Sequence, residues 1–262
     1  LERSEKEISR EFNPIPGAPY ITLPIEDQHF YKRKTSIELF KRIGKISNSE
    51  DLLDEFLPSP NNFNYRNKME YSFGPTEEVE NKDGSWSHAG FGLGSKKRGQ
   101  YWLVENLEKP SGIFAKEFEK EMPKIREFLE KTKRSVVNQK TKTGFFQNLV
   151  VRRSMAEDVY LVNLLTSVDE TEDFDIEGVA KFFRELFGEK IRGFFWSQSD
   201  SKNDSTQNFV SRDLIFGEEK IIERINDLTF EISLDSFFQP NPASAEKLYK
   251  KVSQYVDLSP KK

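Results

Sequence analysis

Hydrophobic and polar positions along this chain switch repeatedly between a period of two and the helical period of about 3.6. From residue 65 to 73 the period is two. Tyr65, Asn67, Met69, Tyr71 and Phe73 fall on one side, with Arg66, Lys68, Glu70 and Ser72 on the other. This predicts a strand on which Arg66 and Lys68 point the same way. Residues 100–106 read as another strand. Residues 148–153 and 158–166 read as a hairpin turning at Ala156, Glu157 and Asp158. An aromatic-rich strand over 191–197 (Phe194, Phe195, Trp196) precedes a polar loop, 199–205. Further strands over 207–216 and 221–232 meet near Gly217 and Glu218.

Helical spacing begins at Asp27, where Phe30, Ile37, Phe40 and Ile43 share a face and Gly44 is a natural stop. Ala115, Phe118, Met122, Ile125 and Leu129 form a second apolar face, kinked or restarted at Pro123. A third helix starts at Asp175, with Ile176, Val179, Phe183 and Leu186 on one face and Gly188 at its end. The last is marked by Asn241, a good N-cap, and Pro242, whose missing N–H costs nothing at the first helical position. Ala245, Leu248, Tyr249, Val252 and Val256 follow at helical spacing. The fold class expected is α+β: a central domain of antiparallel hairpins with three or four helices packed on one side.

Composition narrows the chemistry. Hydrophobics are 35% and charged residues 32%, but Phe 23 and Trp 3 supply enough anchors for a core, so this is a folded chain and not a disordered one. No apolar run approaches the roughly 18 residues that span a membrane, and nothing resembles a signal peptide, so the expectation is a cytoplasmic protein. Cys 0 excludes disulfides, a thiolate nucleophile and cysteine-ligated zinc or iron–sulfur centres within these residues. His29 and His88 are far apart and read as surface or capping residues, so no metal site is expected. The net charge of -4 gives no global case for nucleic acid, so any such case is local.

Locally, seven basic residues and no acidic one lie between Lys131 and Ser154, with Phe145 and Phe146 among them. That run suits phosphate-backbone contact, or equally an edge strand kept soluble by charge. Lys32, Arg33, Lys34, Lys41 and Arg42 read as a solvated helix face. Gly90, Gly92 and Gly94 lack the Walker lysine spacing and open onto no amphipathic helix, so Lys96, Lys97 and Arg98 are read as the basic tip of a hairpin. Gln239 with the amides of the last helix could hold a polar or anionic ligand, or the segment is a capped helix and nothing more.

Three stretches together resemble the RNA uracil-5-methyltransferase family, the S-adenosylmethionine-dependent enzymes that make 5-methyluridine in rRNA and tRNA. Residues 65–74, YRNKMEYSFG, are similar to the family's YRNKMEFSFG strand. Residues 159–166, VYLVNLLT, are similar to its LVNLVT strand, and 236–249 to its SFFQxNxxxAExLY segment. The order and spacing match over roughly residues 24–257.

The resemblance implies an extended lead-in over 1–24, a central RNA-docking domain over 25–226, and over 227–262 the edge of a Rossmann-like methyltransferase domain whose first helix begins at Pro242. It implies S-adenosyl-L-methionine as cofactor, rRNA or tRNA as partner, and a monomer. Gln239 matches the glutamine lining the cofactor and target-base pocket. Arg66, Lys68, Lys96, Lys97 and Arg98 are the candidate RNA contacts, with ion pairing as the alternative for Arg66 and Lys68. No catalytic residue is expected here, because the family's cysteine nucleophile and its proton-accepting glutamate correspond to positions after Lys262. Two departures stand out. The cysteine cluster of many bacterial members is missing, so no iron–sulfur cluster is expected, and the small RNA-binding barrel that often precedes the central domain is not visible. A non-catalytic RNA-binding adaptor that kept only the docking domain is the alternative reading.

Overall fold

The computed structural model describes residues 11–200 and 206–256, so most of the anticipated 199–205 loop lies outside the described residues. The 65–73 alternation becomes β1 (Lys68–Gly74), with Met69, Tyr71 and Phe73 buried. It lies within a sheet of seven strands ordered β5-β4-β1-β6-β7-β8-β9. The neighbours are β4 (Gly92–Lys97), β5 (Gln100–Asn106), β6 (Phe146–Ser154), β7 (Val159–Ser167), β8 (Ile191–Ser199) and β9 (Ser211–Gly217). Two small ribbons complete the strands: β2 (Glu77–Glu80) with β3 (Trp86–Ala89), and β10 (Lys220–Ile225) with β11 (Leu228–Ser233).

The expectation of an antiparallel sheet needs one correction. β7 and β8 run parallel, from Tyr160 opposite Ile191 to Ser167 opposite Ser199, joined by a crossover helix; every other strand pair is antiparallel among the described residues. The sheet is therefore mixed. The physical reason is that β7 is buried at every position and β8 at most, so both faces need cover and the connection becomes a helix lying on the sheet.

Helix α1 spans Ile25–Arg42, α2 Lys116–Glu119, α3 Met122–Glu130, α4 Ile176–Phe187 and α5 Pro242–Tyr255. Pro123 separates α2 from α3, as its ring demands, and sits at the start of α3. Asp175 caps α4, its side chain accepting from the Gly178 amide at 2.8 Å, and Gly188 at φ 60° ends it. One core holds Phe118, Met122, Ile125, Leu129, Val179 and Phe183 of the helices against Tyr71, Phe73, Leu149, Val162 and Phe194 of the sheet. The opposite face is covered in part by β10–β11, whose Ile221 and Ile232 meet Val159, Leu161 and Phe195. Phe12, Ile15 and Ile21, ahead of α1, are buried as well.

The apolar face anticipated on α1 does not enter this core. Phe30, Phe40 and Ile43 are 60%, 56% and 77% exposed.

Candidate functional site

The sheet opens into a wedge on the β4 side of β1. The two strands pair only over Ser72–Gly94, Phe73–Leu93 and Gly74–Gly92 and then part, leaving Lys68 to Tyr71 unpaired on that side. Glycine makes the narrow end of the wedge possible. A Cβ on Gly92 would sit 2.6 Å from the Gly74 carbonyl oxygen, and one on Gly94 only 2.1 Å from that of Glu105. At the wide end lies a cleft of about 430 Å³ bordered by Arg66, Lys68, Glu70, Ser95 and Lys96.

Three anticipated RNA contacts, Arg66, Lys68 and Lys96, therefore converge on one cleft. Arg66 Nε donates to the Lys68 carbonyl at 2.8 Å, which holds the guanidinium along its own strand. Lys68 Nζ lies 2.7 Å from a Glu70 oxygen, so the ion-pair alternative holds for Lys68. Burial, then the charge of Lys142, depresses the Lys96 amine below the usual lysine range. Lys97 and Arg98 lie at the β4–β5 turn and not among the residues lining the cleft. Beneath the cleft, Glu119 is fully buried. It accepts from the Ser111 amide at 2.6 Å, from Ser111 Oγ at 2.7 and 2.8 Å and from Tyr71 Oη at 2.9 Å.

Gln239 lies at a seam between two distant parts of the chain. Asn67 Nδ2 donates to the Gln239 carbonyl at 2.9 Å, and the Asn67 amide donates to the Pro240 carbonyl at 3.0 Å. Arg152, 2% exposed, donates to the carbonyls of Leu234 and Ser236. Asn241 caps α5 as expected, accepting from the Ser244 amide at 3.0 Å, and its Nδ2 donates to Ser59 Oγ at 3.1 Å. The segment is thus pinned by its backbone. Gln239 is left half-buried and Phe237 is 84% exposed.

The basic run between Lys131 and Ser154 divides, and its edge-strand reading fails. β6 is an interior strand, not an edge. Phe145 and Phe146 are fully buried core residues. Arg152 serves the seam, Arg153 pairs with Asp158 and Lys131 with Glu127. Lys133, Lys140 and Lys142, ahead of β6, are exposed, and Lys140 reaches Glu78 and Trp102. His88 is not a bare surface residue, since its Nε2 lies 3.4 Å from a Glu78 oxygen. Among the described residues no three His, Cys, Asp or Glu side chains gather as a metal site, and no helix is long and apolar enough to cross a membrane.

Sequence reasoning missed Asn67, Arg152 and Glu119. The one available signal was polarity out of place: Asn67 on the apolar side of the β1 alternation, and Arg152 closing an apolar run.

Comparison with known proteins bears out the resemblance that the motifs suggested. No protein-family model matches the chain. It is 32% identical over 257 residues to an uncharacterized RNA methyltransferase of Clostridium acetobutylicum, covering 96% of this chain and 52% of that one. It is 28% identical over 207 residues to the tRNA (uracil(54)-C(5))-methyltransferase of Pyrococcus abyssi, covering 78% of this chain and 43% of that one. The crystal structure of the tRNA (uracil-54, C5)-methyltransferase of P. abyssi in complex with S-adenosyl-L-homocysteine matches with a TM-score of 0.66 at 25% identity, over 94% of this chain and 52% of that one. The chain thus resembles the RNA uracil-5-methyltransferases along nearly its whole length, and it spans about half the length of these relatives.

Proposed function

We propose that this chain is the substrate-docking part of an S-adenosylmethionine-dependent RNA (uracil-5-)-methyltransferase acting on rRNA or tRNA, a cytoplasmic monomer. Residues 25–226 form the docking domain, and 227–262 the edge of the methyltransferase domain, with α5 as its first helix. The observation that carries this reading is the match of 94% of the chain to about half of the P. abyssi enzyme. The exposed apolar side of α5 supports the assignment of that helix. Leu248, Val252 and Tyr255 are 51%, 50% and 68% exposed, as suits a helix whose outer face meets a further layer.

The chain's own residues suit two tasks. Arg66, Lys68 and Lys96, with Lys97 and Arg98 at the turn, offer cations to the RNA backbone, where each phosphate neutralised releases counterions. Gln239 offers one amide wall to the cofactor and target base. The residues present fit S-adenosylmethionine only in that respect: a half-buried carboxamide whose own carbonyl Asn67 holds, in a segment that Arg152 ties at Leu234 and Ser236, with an exposed Phe237 nearby. The cofactor supplies the methyl group. The nucleophile is not in these residues, since Cys is 0.

That same absence favours the second reading, a non-catalytic RNA-binding adaptor. The product of the complete reading frame separates the two. Incubated with S-adenosylmethionine and an RNA transcript, it is expected to transfer methyl groups to uracil, while the 262-residue chain alone transfers none. Gln239→Ala in the complete product is expected to lower the rate about tenfold or more, as loss of a positioned polar group at a reacting centre does. Unchanged rates would remove Gln239 from the site. No transfer by the wild-type product would favour the adaptor.

A further inference from the structure

The β4–β5 hairpin ends in a bulge that RNA docking through the cleft does not use. Lys96 faces Val104 but Lys97 faces Gln100, so residues 101–103 bulge out between two paired positions, and such irregularities re-aim side chains. Leu103 turns inward and is buried, whereas Tyr101 is thrown out and is 64% exposed. Its ring stands edge-on to Trp102, with centroids 5.3 Å apart at 78°.

Trp102 is fixed from three sides. Its Nε1 donates to Glu78 at 3.0 Å, and Lys140 Nζ sits 4.0 Å from its ring centroid while pairing with the same Glu78 at 2.7 Å. This base supports a solvent-facing tyrosine ring that follows Lys97 and Arg98 in the same turn. No acidic residue occurs between Lys96 and Tyr101, and the nearby Glu78 is engaged by Lys140, Trp102 and His88.

An exposed flat ring on a held tryptophan, in a turn that also carries Lys97 and Arg98, suits a polyanion that carries flat apolar groups. An apolar protein surface would leave those cations unpaired, and a duplex would hide its base faces. We propose that the bulged β4–β5 turn is a stacking platform for an unpaired RNA nucleotide, with Tyr101 taking the base and Lys97 and Arg98 of the same turn the flanking phosphates. This rests on the RNA reading given above and adds the class of RNA: a single-stranded loop or end.

The test is fluorescence anisotropy of the 262-residue chain with a labelled oligouridylate and with a duplex RNA of equal length, across a salt series. Circular dichroism checks that the variants fold, as expected for an exposed side chain. Tyr101→Ala is expected to weaken single-strand binding about 5-fold or more and to leave duplex binding unchanged, while Tyr101→Phe keeps the ring and binds as wild type. Arg98→Ala is expected to lower the slope of log K against log salt by about 0.7. Single-strand binding by Tyr101→Ala as tight as wild type overturns the platform but leaves the RNA reading standing. Absence of salt-dependent RNA binding by the wild-type chain overturns both.

Discussion

Glu119 shows how far one residue's environment can move its chemistry. Burial pushes its carboxyl from the usual 4.5 up to about 7, against hydrogen bonds from Ser111 and Tyr71 that favour the charged form. Because the folded-state value lies above the unfolded one, the folded chain holds this proton more tightly. The contribution to stability is complete below about pH 4.5 and is lost as pH rises through about 7. Urea unfolding followed from acid to neutral pH is expected to show a decline of at most about 3 kcal/mol from this group. Glu119→Gln is expected to flatten that decline, whatever it does to the midpoint; a slope identical to wild type would assign the pH dependence elsewhere. This residue was not legible in the sequence, because Tyr71 is 48 positions away and burial alone distinguishes Glu119 from its solvated neighbours. Asn241 and Pro242 were legible, because a helix cap is written within four residues of itself.

Among the elements, the β10–β11 ribbon depends on one side chain more than on its small apolar contact. Glu223 is 1% exposed and accepts from the amides of Met155 at 2.7 Å, Ala156 at 3.2 Å and Arg224 at 3.0 Å, which ties β10 to the β6–β7 turn. Ser154 Oγ adds a bond to the Ile222 carbonyl. Glu223→Ala leaves three part-buried amides without their acceptor and is expected to cost about 1–3 kcal/mol, read by chemical denaturation. Amide exchange at Met155 and Ala156 should quicken; unchanged protection there would mean that water or a neighbour replaces the carboxylate. The β6–β7 hairpin itself was plain in the sequence. The parallel β7–β8 pairing was not, although its signal was present: residues 159–166 are apolar without alternation apart from Asn163 and Thr166, as a strand covered on both faces must be. The wedge beside β1 left no trace in the sequence, because a strand's alternation says which face is buried and nothing about which neighbour it leaves.

At the scale of the whole molecule, the seam at Asn67 joins two segments that lie far apart in the chain. Gln239 sits 172 positions from the asparagine that fixes its carbonyl. Asn67→Ala removes that bond while leaving both cores intact. It is expected to speed chymotryptic cleavage at Phe237 and Phe238 without moving the global unfolding midpoint by more than about 1–2 kcal/mol, the worth of one buried hydrogen bond. Equal cleavage rates would show that Arg152 and the Ser59 contacts suffice.

The seam also sets an order of assembly. β4–β5, β6–β7, β8–β9 and β10–β11 each join strands that are neighbours in sequence, so they close short loops and can form early. The contact between Asn67 and Gln239 closes a loop of 172 positions, that between Ser59 and Asn241 one of 182, and both reward the chain only once much of what lies between is in place. The residue proposed to face the cofactor is thus seated late. A chain caught partway through folding would free Phe238 from the second core on an untethered segment and offer no formed pocket edge, so ligand competence on this side of the molecule would double as a report that folding has finished.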